Sequence, residues 1–194
     1  MSDHLKGVIF DMDGTITVPY IDWKELRLEI GASPDSTLLE HIDSLPPEKA
    51  HWAMQVLLQA EREAGEKATL NDGLSELIEQ MRREGLRLAL VTNNHGEAMQ
   101  CILRRHDLVF DVALSRDDGE LKPSGDLIRK ALNSLQLSPE NVISIGDGKY
   151  DIEACSEVGV KCIYLTNGNP TLAHTPAVDI LREITPLLNL NSET

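Results

Sequence analysis

Basic residues are scarce in this chain: 18 lysines and arginines stand against 32 aspartates and glutamates among 194 residues, a formal net charge of -14. That deficit argues against sequence-independent attraction to DNA, RNA or an anionic membrane, which needs basic surface. It also repels a phosphate-bearing small molecule at long range, so a site for one needs local positive charge from a metal, a lysine or a helix amino end. Cysteine is sparse too. Cys101, Cys155 and Cys162 are odd in number, widely spaced and form no CxxC pair, which excludes a disulfide framework or zinc knuckle and suits a reduced, cytoplasmic setting. No apolar stretch approaches the span of a bilayer, and Met1-Ser2-Asp3-His4 carries no basic region followed by a long apolar run, so neither secretion nor insertion is expected. Internal repeats and low-complexity runs are absent, and nothing in the sequence reports an oligomeric state. Hydrophobic residues at 41% and charged residues at 26% are ordinary for a globular chain, long enough here for one main core and a modest insertion.

What is present begins with Gly7-Val8-Ile9-Phe10-Asp11-Met12-Asp13-Gly14-Thr15, an apolar strand running into two carboxylates one residue apart and then a glycine turn. Many inert proteins contain a strand that ends in an Asp-Gly turn, so this stretch needs support from the rest of the chain. Residues 18–70 read as an all-helical block: Asp22 and Glu25 open a first helix that ends near Gly31, Ser33-Pro34 opens a second that Pro46-Pro47 terminates, and a third runs to Gly65. From Asn71-Asp72-Gly73 the pattern alternates. Helix to Glu84, strand Leu86–Thr92, helix Glu97–His106, strand Val109–Leu114, helix Ser124–Leu135, strand Val142–Gly146, helix Tyr150–Val158 and strand Val160–Leu165 follow in turn. The tail Val178–Leu190, broken by Pro186, fits either a short helix or a strand. Five strands alternating with helices predict an α/β fold, a doubly wound, Rossmann-like parallel sheet over residues 1–17 and 71–194, with 18–70 inserted as a small helical cap.

This arrangement brings Asp11, Thr92 and Asp147 to the carboxyl ends of three different strands, the face on which open parallel sheets bind ligands. Gly146-Asp147-Gly148-Lys149-Tyr150-Asp151 adds a second pair of acids at the same edge. Oxygen donors without a histidine or cysteine cluster favour a hard cation, Mg2+ above all. Lys149 puts a cation inside the acidic loop, where it could meet Asp151 or a phosphate, surface pairing being the default. His95 is by default a first-turn histidine. Trp23, Leu26 and Ile30 follow helical spacing and read as the cap's own small core, while Lys24, Arg27, Lys49 and Arg62 are candidate contacts to an anionic substrate that default to solvated surface.

In motif order the chain resembles the haloacid dehalogenase-like hydrolase superfamily over essentially its whole length. Asp11-Met12-Asp13-Gly14-Thr15 looks like the first motif, Leu90-Val91-Thr92-Asn93-Asn94 the second, Leu121-Lys122-Pro123 the third and Gly146-Asp147 through Asp151 the fourth. The resemblance implies a magnesium-dependent phosphatase acting on a small phosphorylated metabolite. Asp11 would be the nucleophile that forms an aspartyl-phosphate, and Asp13 the general acid and base. The metal would be held by Asp11, the main-chain carbonyl of Asp13, and Asp147, with Asp151 in support. Thr92 and Asn93 would bind phosphate oxygens, and Lys122 would neutralise developing charge. The second acid, Asp13, favours phosphoryl transfer over dehalogenation, because a departing halide needs no proton. A short cap implies an open entrance and a broad or larger substrate. Two other readings remain at this stage: a phosphomutase with the same residues, and a non-enzymatic phosphate-binding module.

Overall fold

The computed structural model describes residues 5–33, 36–174 and 176–188. Residues 1–4, read above for a leader, and Pro34, Asn189 and Leu190 lie outside them. Six strands form one parallel sheet: β1 (Gly7–Phe10), β2 (Arg87–Val91), β3 (Val112–Leu114), β4 (Val142–Gly146), β5 (Lys161–Leu165) and β6 (Ala177–Val178), in the spatial order β3-β2-β1-β4-β5-β6. The helices are α1 (Trp23–Ile30), α2 (Leu38–Ser44), α3 (Pro47–Lys67), α4 (Leu74–Arg83), α5 (Gly96–Arg105), α6 (Asp126–Leu135), α7 (Lys149–Val158) and α8 (Ile184–Leu187).

The continuous apolar runs of the inner strands follow from burial on both sheet faces. Val8, Phe10, Leu88, Leu90, Ile143 and Ile145 pack on one face with Leu77 and Met81 of α4 and Ile102 of α5. Ile9, Ala89, Val91 and Val142 point to the other face, against Leu127 and Ala131 of α6 and Ala154 and Cys155 of α7. With every β1 residue buried and Phe10 fully so, truncating Phe10 to alanine would cost about 3–5 kcal/mol. The three cysteines are free thiols, two of them in this core.

Between β1 and β2 lie α1, α2 and α3, which share a separate apolar cluster of Leu26, Ile30, Leu38, Ile42, Ala53 and Leu57. The chain leaves and re-enters the sheet layer side by side, Thr17 bridging Leu70 and Val18 N donating to Thr69 O at 2.9 Å. Asp22 caps α1 by accepting from the amides of Lys24 and Glu25, and Gly31 closes it in the left-handed region.

Several local expectations shift. The second helix opens on Thr37 with a reciprocal capping box to Glu40, and the expected Ser33-Pro34 start includes Pro34, outside the described residues. The third runs through Gly65 to Lys67, because that glycine serves a close helix contact and not a stop: a Cβ there would sit 3.3 Å from both Ala98 O and Cys101 Cβ of α5. The strand expected from Val109 starts at Val112, since Val109 is exposed and pairing with β2 begins only where the Asp111 amide donates to Leu88 O at 2.8 Å. The tail provides both alternatives, a sixth strand too short to show alternation and the short helix α8 with Pro186 inside it.

Candidate active site

Strand order reverses on either side of β1, so the loops after β1 and β4 diverge and leave a crevice at their carboxyl ends. Asp11 is the first residue past β1, its amide still donating to Ile145 O at 2.9 Å, and Asp147 is the first past β4. Thr92 is the first past β2, its amide on Leu114 O at 3.0 Å. Asp151 stands in the first turn of α7, where its Oδ2 accepts from Gly148 N at 3.1 Å. Gly14 takes φ +78° beside Asp147, and a Cβ there would fall 1.9 Å from Asp147 Oδ2, so the two loops approach only because this residue has no side chain.

Lys122 ties the group together. Its buried Nζ donates to Asp11 Oδ1 at 2.5 Å, Asp151 Oδ1 at 2.6 Å and Val91 O at 3.0 Å. Asn93 fixes the loop that carries it, Nδ2 donating to Lys122 O at 2.8 Å and Oδ1 accepting from Lys122 N at 2.9 Å. The Asn93 amide is therefore engaged with the lysine loop. Thr92 is buried, and its Oγ1 accepts from Asn94 N at 3.1 Å.

One ammonium does not balance the acids around it. Burial holds the Asp11 carboxyl well above the usual range, Lys122 pulling it back and Asp151 and Asp147 adding to the rise. Asp147 is pushed up to about 7, by burial first and by Asp151 next. Burial opposes the charge on Lys122, but Asp11 and Asp151 outweigh it and raise that group. Asp13 reaches about 6, raised by burial, with Asn94 lowering it and Glu61 adding to the rise. Its Oδ1 is buried without a hydrogen-bond partner. Asp11, Asp147 and Asp151 each offer a carboxylate oxygen, all within 4.8 Å of one another. Such an oxygen-only, overcharged trio fits a divalent hard cation.

The model for haloacid dehalogenase-like hydrolases matches residues 17–165. The chain belongs to this family. Similar proteins include an uncharacterized hydrolase of Saccharomyces cerevisiae, 29% identical over 98% of this chain and 94% of its own length. A haloacid dehalogenase-like hydrolase domain-containing protein of Arabidopsis thaliana is 28% identical over 79% and 67%. Pyrophosphatase PpaX of Halalkalibacterium halodurans is 30% identical over 61% and 58%. Among solved structures, a family IA, variant 3 hydrolase of this superfamily from Entamoeba histolytica shares the fold with a TM-score of 0.77 at 18% identity, covering 96% of this chain and 99% of its own. CbbY from Rhodobacter sphaeroides, solved as a mutant with xylulose-(1,5)bisphosphate, has a TM-score of 0.69 at 18% identity over 91% and 94%.

In this haloacid dehalogenase-like chain the acids open onto a cleft of about 810 Å³, walled by Trp23 and Arg27 of α1, Leu38 of α2 and Leu57 and Glu61 of α3. Trp23 is 37% exposed at this wall, while Leu26 and Ile30 alone of the expected trio enter the apolar cluster of the helices. Arg27 donates to Ser33 O and Ser36 O and braces the loop beyond α1. Lys149 pairs with Glu153 at 3.3 Å on the surface rather than with Asp151. His95 precedes the first residue of α5 without a capping hydrogen bond, its Nδ1 buried and unpartnered.

Sequence reasoning passed over four residues. Asn71 donates to Gly14 O and Thr15 O, and Asn167 donates to Gly14 O at 2.8 Å, so two distant amides clamp the turn behind Asp13. Glu61 and Arg116 form an ion pair across the cleft wall. Turn residues and helix charges of these kinds carry no motif. Asn71 beside Asp72-Gly73 reads as ordinary turn chemistry, and Glu61 at a buried helical position was the one detectable anomaly. No helix of the described residues is long and apolar enough to cross a membrane.

Proposed function

We propose that this protein is a magnesium-dependent phosphatase that hydrolyses a small phosphorylated metabolite through an aspartyl-phosphate on Asp11. The observation that carries this reading is the meeting of Asp11, Asp147 and Asp151 with the Lys122 ammonium at the sheet's switch point, Asp13 standing two residues from the nucleophile. CbbY, a structural neighbour, holds phosphate in one structure and a sugar bisphosphate in another, which supports a phosphorylated substrate.

Asp11, Asp147 and Asp151, with the main-chain carbonyl of Asp13, are the groups to hold the ion. When bound there, Mg2+ supplies the positive charge that lets an anionic phosphate approach anionic carboxylates. Lys122 favours the ionised form of Asp11 against the rise that burial causes, aims it by a 2.5 Å contact, and faces the phosphoryl oxygens as charge moves through them. Asp11 attacks phosphorus and the ester bond breaks. Asp13, raised to about 6, retains a proton in part of the population near neutrality and passes it to the leaving oxygen. The resulting carboxylate then takes a proton from the water that opens the phosphoenzyme. Thr92 sits at the phosphate end as a donor. Residues 18–70 act as a cap, with Trp23 and Leu57 shielding the cleft from water.

Phosphate release from a panel of phosphorylated metabolites, with magnesium or chelator, tests this reading against Asp11→Asn. Release that requires both magnesium and Asp11 is expected, and Asp13→Asn should slow it by about 10²- to 10⁴-fold. Turnover that yields no free phosphate and depends on a bisphosphate activator would assign a mutase instead. A folded, magnesium-binding chain that transforms no compound would leave a binding module.

A further inference from the structure

The ion pair in the cleft wall has no place in the hydrolytic steps. Arg116 lies two residues past β3, and its main-chain amide donates to Asn94 O at 3.1 Å, which fixes it beside the loop that follows β2. Its side chain is only 10% exposed and that of Glu61 only 1%, yet both line the same cleft as Asp11 and Asp13. Arg116 Nη1 donates to Glu61 Oε1 and, at 3.4 Å, to Asn93 O. Among the described residues these are its side-chain hydrogen bonds, so Nε and Nη2 remain without a partner. Glu61 Oε2 and Asn94 Nδ2 are also buried without a close hydrogen bond, Asn94 Nδ2 lying near enough to Asp13 to favour its carboxylate. The wall from Asp13 through Asn94 to Arg116 is therefore polar, largely buried and incompletely bonded.

We propose that Arg116 binds a second anionic group, a carboxylate or phosphate, on the leaving-group portion of the substrate, and that Glu61 of α3 is the positioning residue that holds Arg116 for it. This rests on the phosphatase reading above. Asp13 protonates the leaving oxygen, Asn94 adjoins Asp13 and accepts from Arg116, so a leaving group that extends away from the nucleophile runs along this wall. A guanidinium with two uncommitted donors matches the planar fork of a carboxylate or two phosphate oxygens better than it matches a single hydroxyl. A buried ion pair is a weak source of stability, which favours a placement role for Glu61. In a chain of net charge -14, a tethered guanidinium is also a local remedy for the repulsion that a doubly anionic substrate meets.

Three phosphate monoesters with the same linker and a terminal carboxylate, phosphate or carboxamide test the inference. The native protein should prefer one or both charged esters to the carboxamide by about 10- to 100-fold in kcat/KM, chiefly through KM. In Arg116→Gln that ratio should fall to near one, Arg116→Lys should restore part of it, and Glu61→Gln should raise KM for the charged esters more than it lowers kcat. Equal handling of all three esters by the native protein overturns the inference. So does a ratio that survives Arg116→Gln, since the pair would then only latch α3 to the loop. Failure to hydrolyse any ester would count against the phosphatase reading instead, and equilibrium binding of the three corresponding non-hydrolysable phosphonates then reads the inference alone. Tighter binding of a charged phosphonate that is lost in Arg116→Gln sustains it, and equal binding of all three overturns it.

Discussion

The cleft has a floor made by the ends of β1, β2 and β4 and a roof made by α1, α2 and α3, and the two are held by different means. On the floor, Asp11, Thr92 and Asp147 each follow directly on a strand whose residues are buried on both faces, so main-chain pairing sets their positions. The roof has its own apolar cluster and meets the sheet layer through the Thr17 to Leu70 pairing, the Gly65 contact with α5 and the Glu61 to Arg116 ion pair. A floor built this way suits chemistry that fails when atoms shift by an ångström, and a roof of helices packed around a cluster of their own suits recognition of the rest of the ligand.

If the floor carries the chemistry, Asp11→Asn should lower phosphate release by on the order of 10⁴-fold or more while the thermal unfolding midpoint changes little; a modest loss would dissolve the contrast. Lys122→Ala should strike the floor's stability as well as its activity. It leaves Asp11 and Asp151 buried without their shared cation, and urea titration of the magnesium-free protein should register a loss of about 3–5 kcal/mol.

The pH dependence sharpens the same point. Asp13 rises from 3.8 to about 6 and Asp147 from 3.8 to about 7 in the folded chain, and Asp11 is raised as well. Between the unfolded and folded values the native state therefore holds more protons, so stability is greatest at the acidic side of that window and falls as pH rises through it. In chelator the unfolding free energy from urea titration should decline from about pH 4 to 7, by on the order of 1 kcal/mol per pH unit for each raised group within its own window, and magnesium should flatten the decline. A flat profile in chelator would mean that the acids are better compensated than their surroundings indicate.

The smallest effect belongs to the roof. Gly65→Ala adds a methyl 3.3 Å from the main-chain oxygen of Ala98, and α5 cannot yield without moving as a unit. Helix propensity favours alanine by about 1 kcal/mol, and overpacking opposes it by about 1–3 kcal/mol. A net loss of about 1 kcal/mol, read as a lower melting temperature with the rate on a small phosphate ester little changed, would separate roof from floor.

The floor was legible because its signals are local. A strand of apolar residues announces itself, and an acid immediately after it has nowhere to go but the sheet edge; three such strands yielded Asp11, Thr92 and Asp147, and the motif resemblance supplied Lys122. The motif resemblance also points to Asn93, and only the structure shows that its side-chain amide braces the lysine loop. The roof was legible as three helices and little more. Trp23 has the spacing of a core residue, but spacing reports a helix face and does not say whether that face meets a neighbour or a cleft.

By itself the sequence determined the alternation of strands and helices, the place of the inserted helices and the acids at the sheet edge, since each depends on residues adjacent in the chain. The tertiary structure alone decided the clamp of Asn71 and Asn167 on the Gly14 turn, the bridge of Lys122 between two acids and the pairing of Glu61 with Arg116. Those contacts join residues 29 to 153 positions apart, and their partners are chosen by which loops the sheet brings together, a choice that no short stretch of chain records.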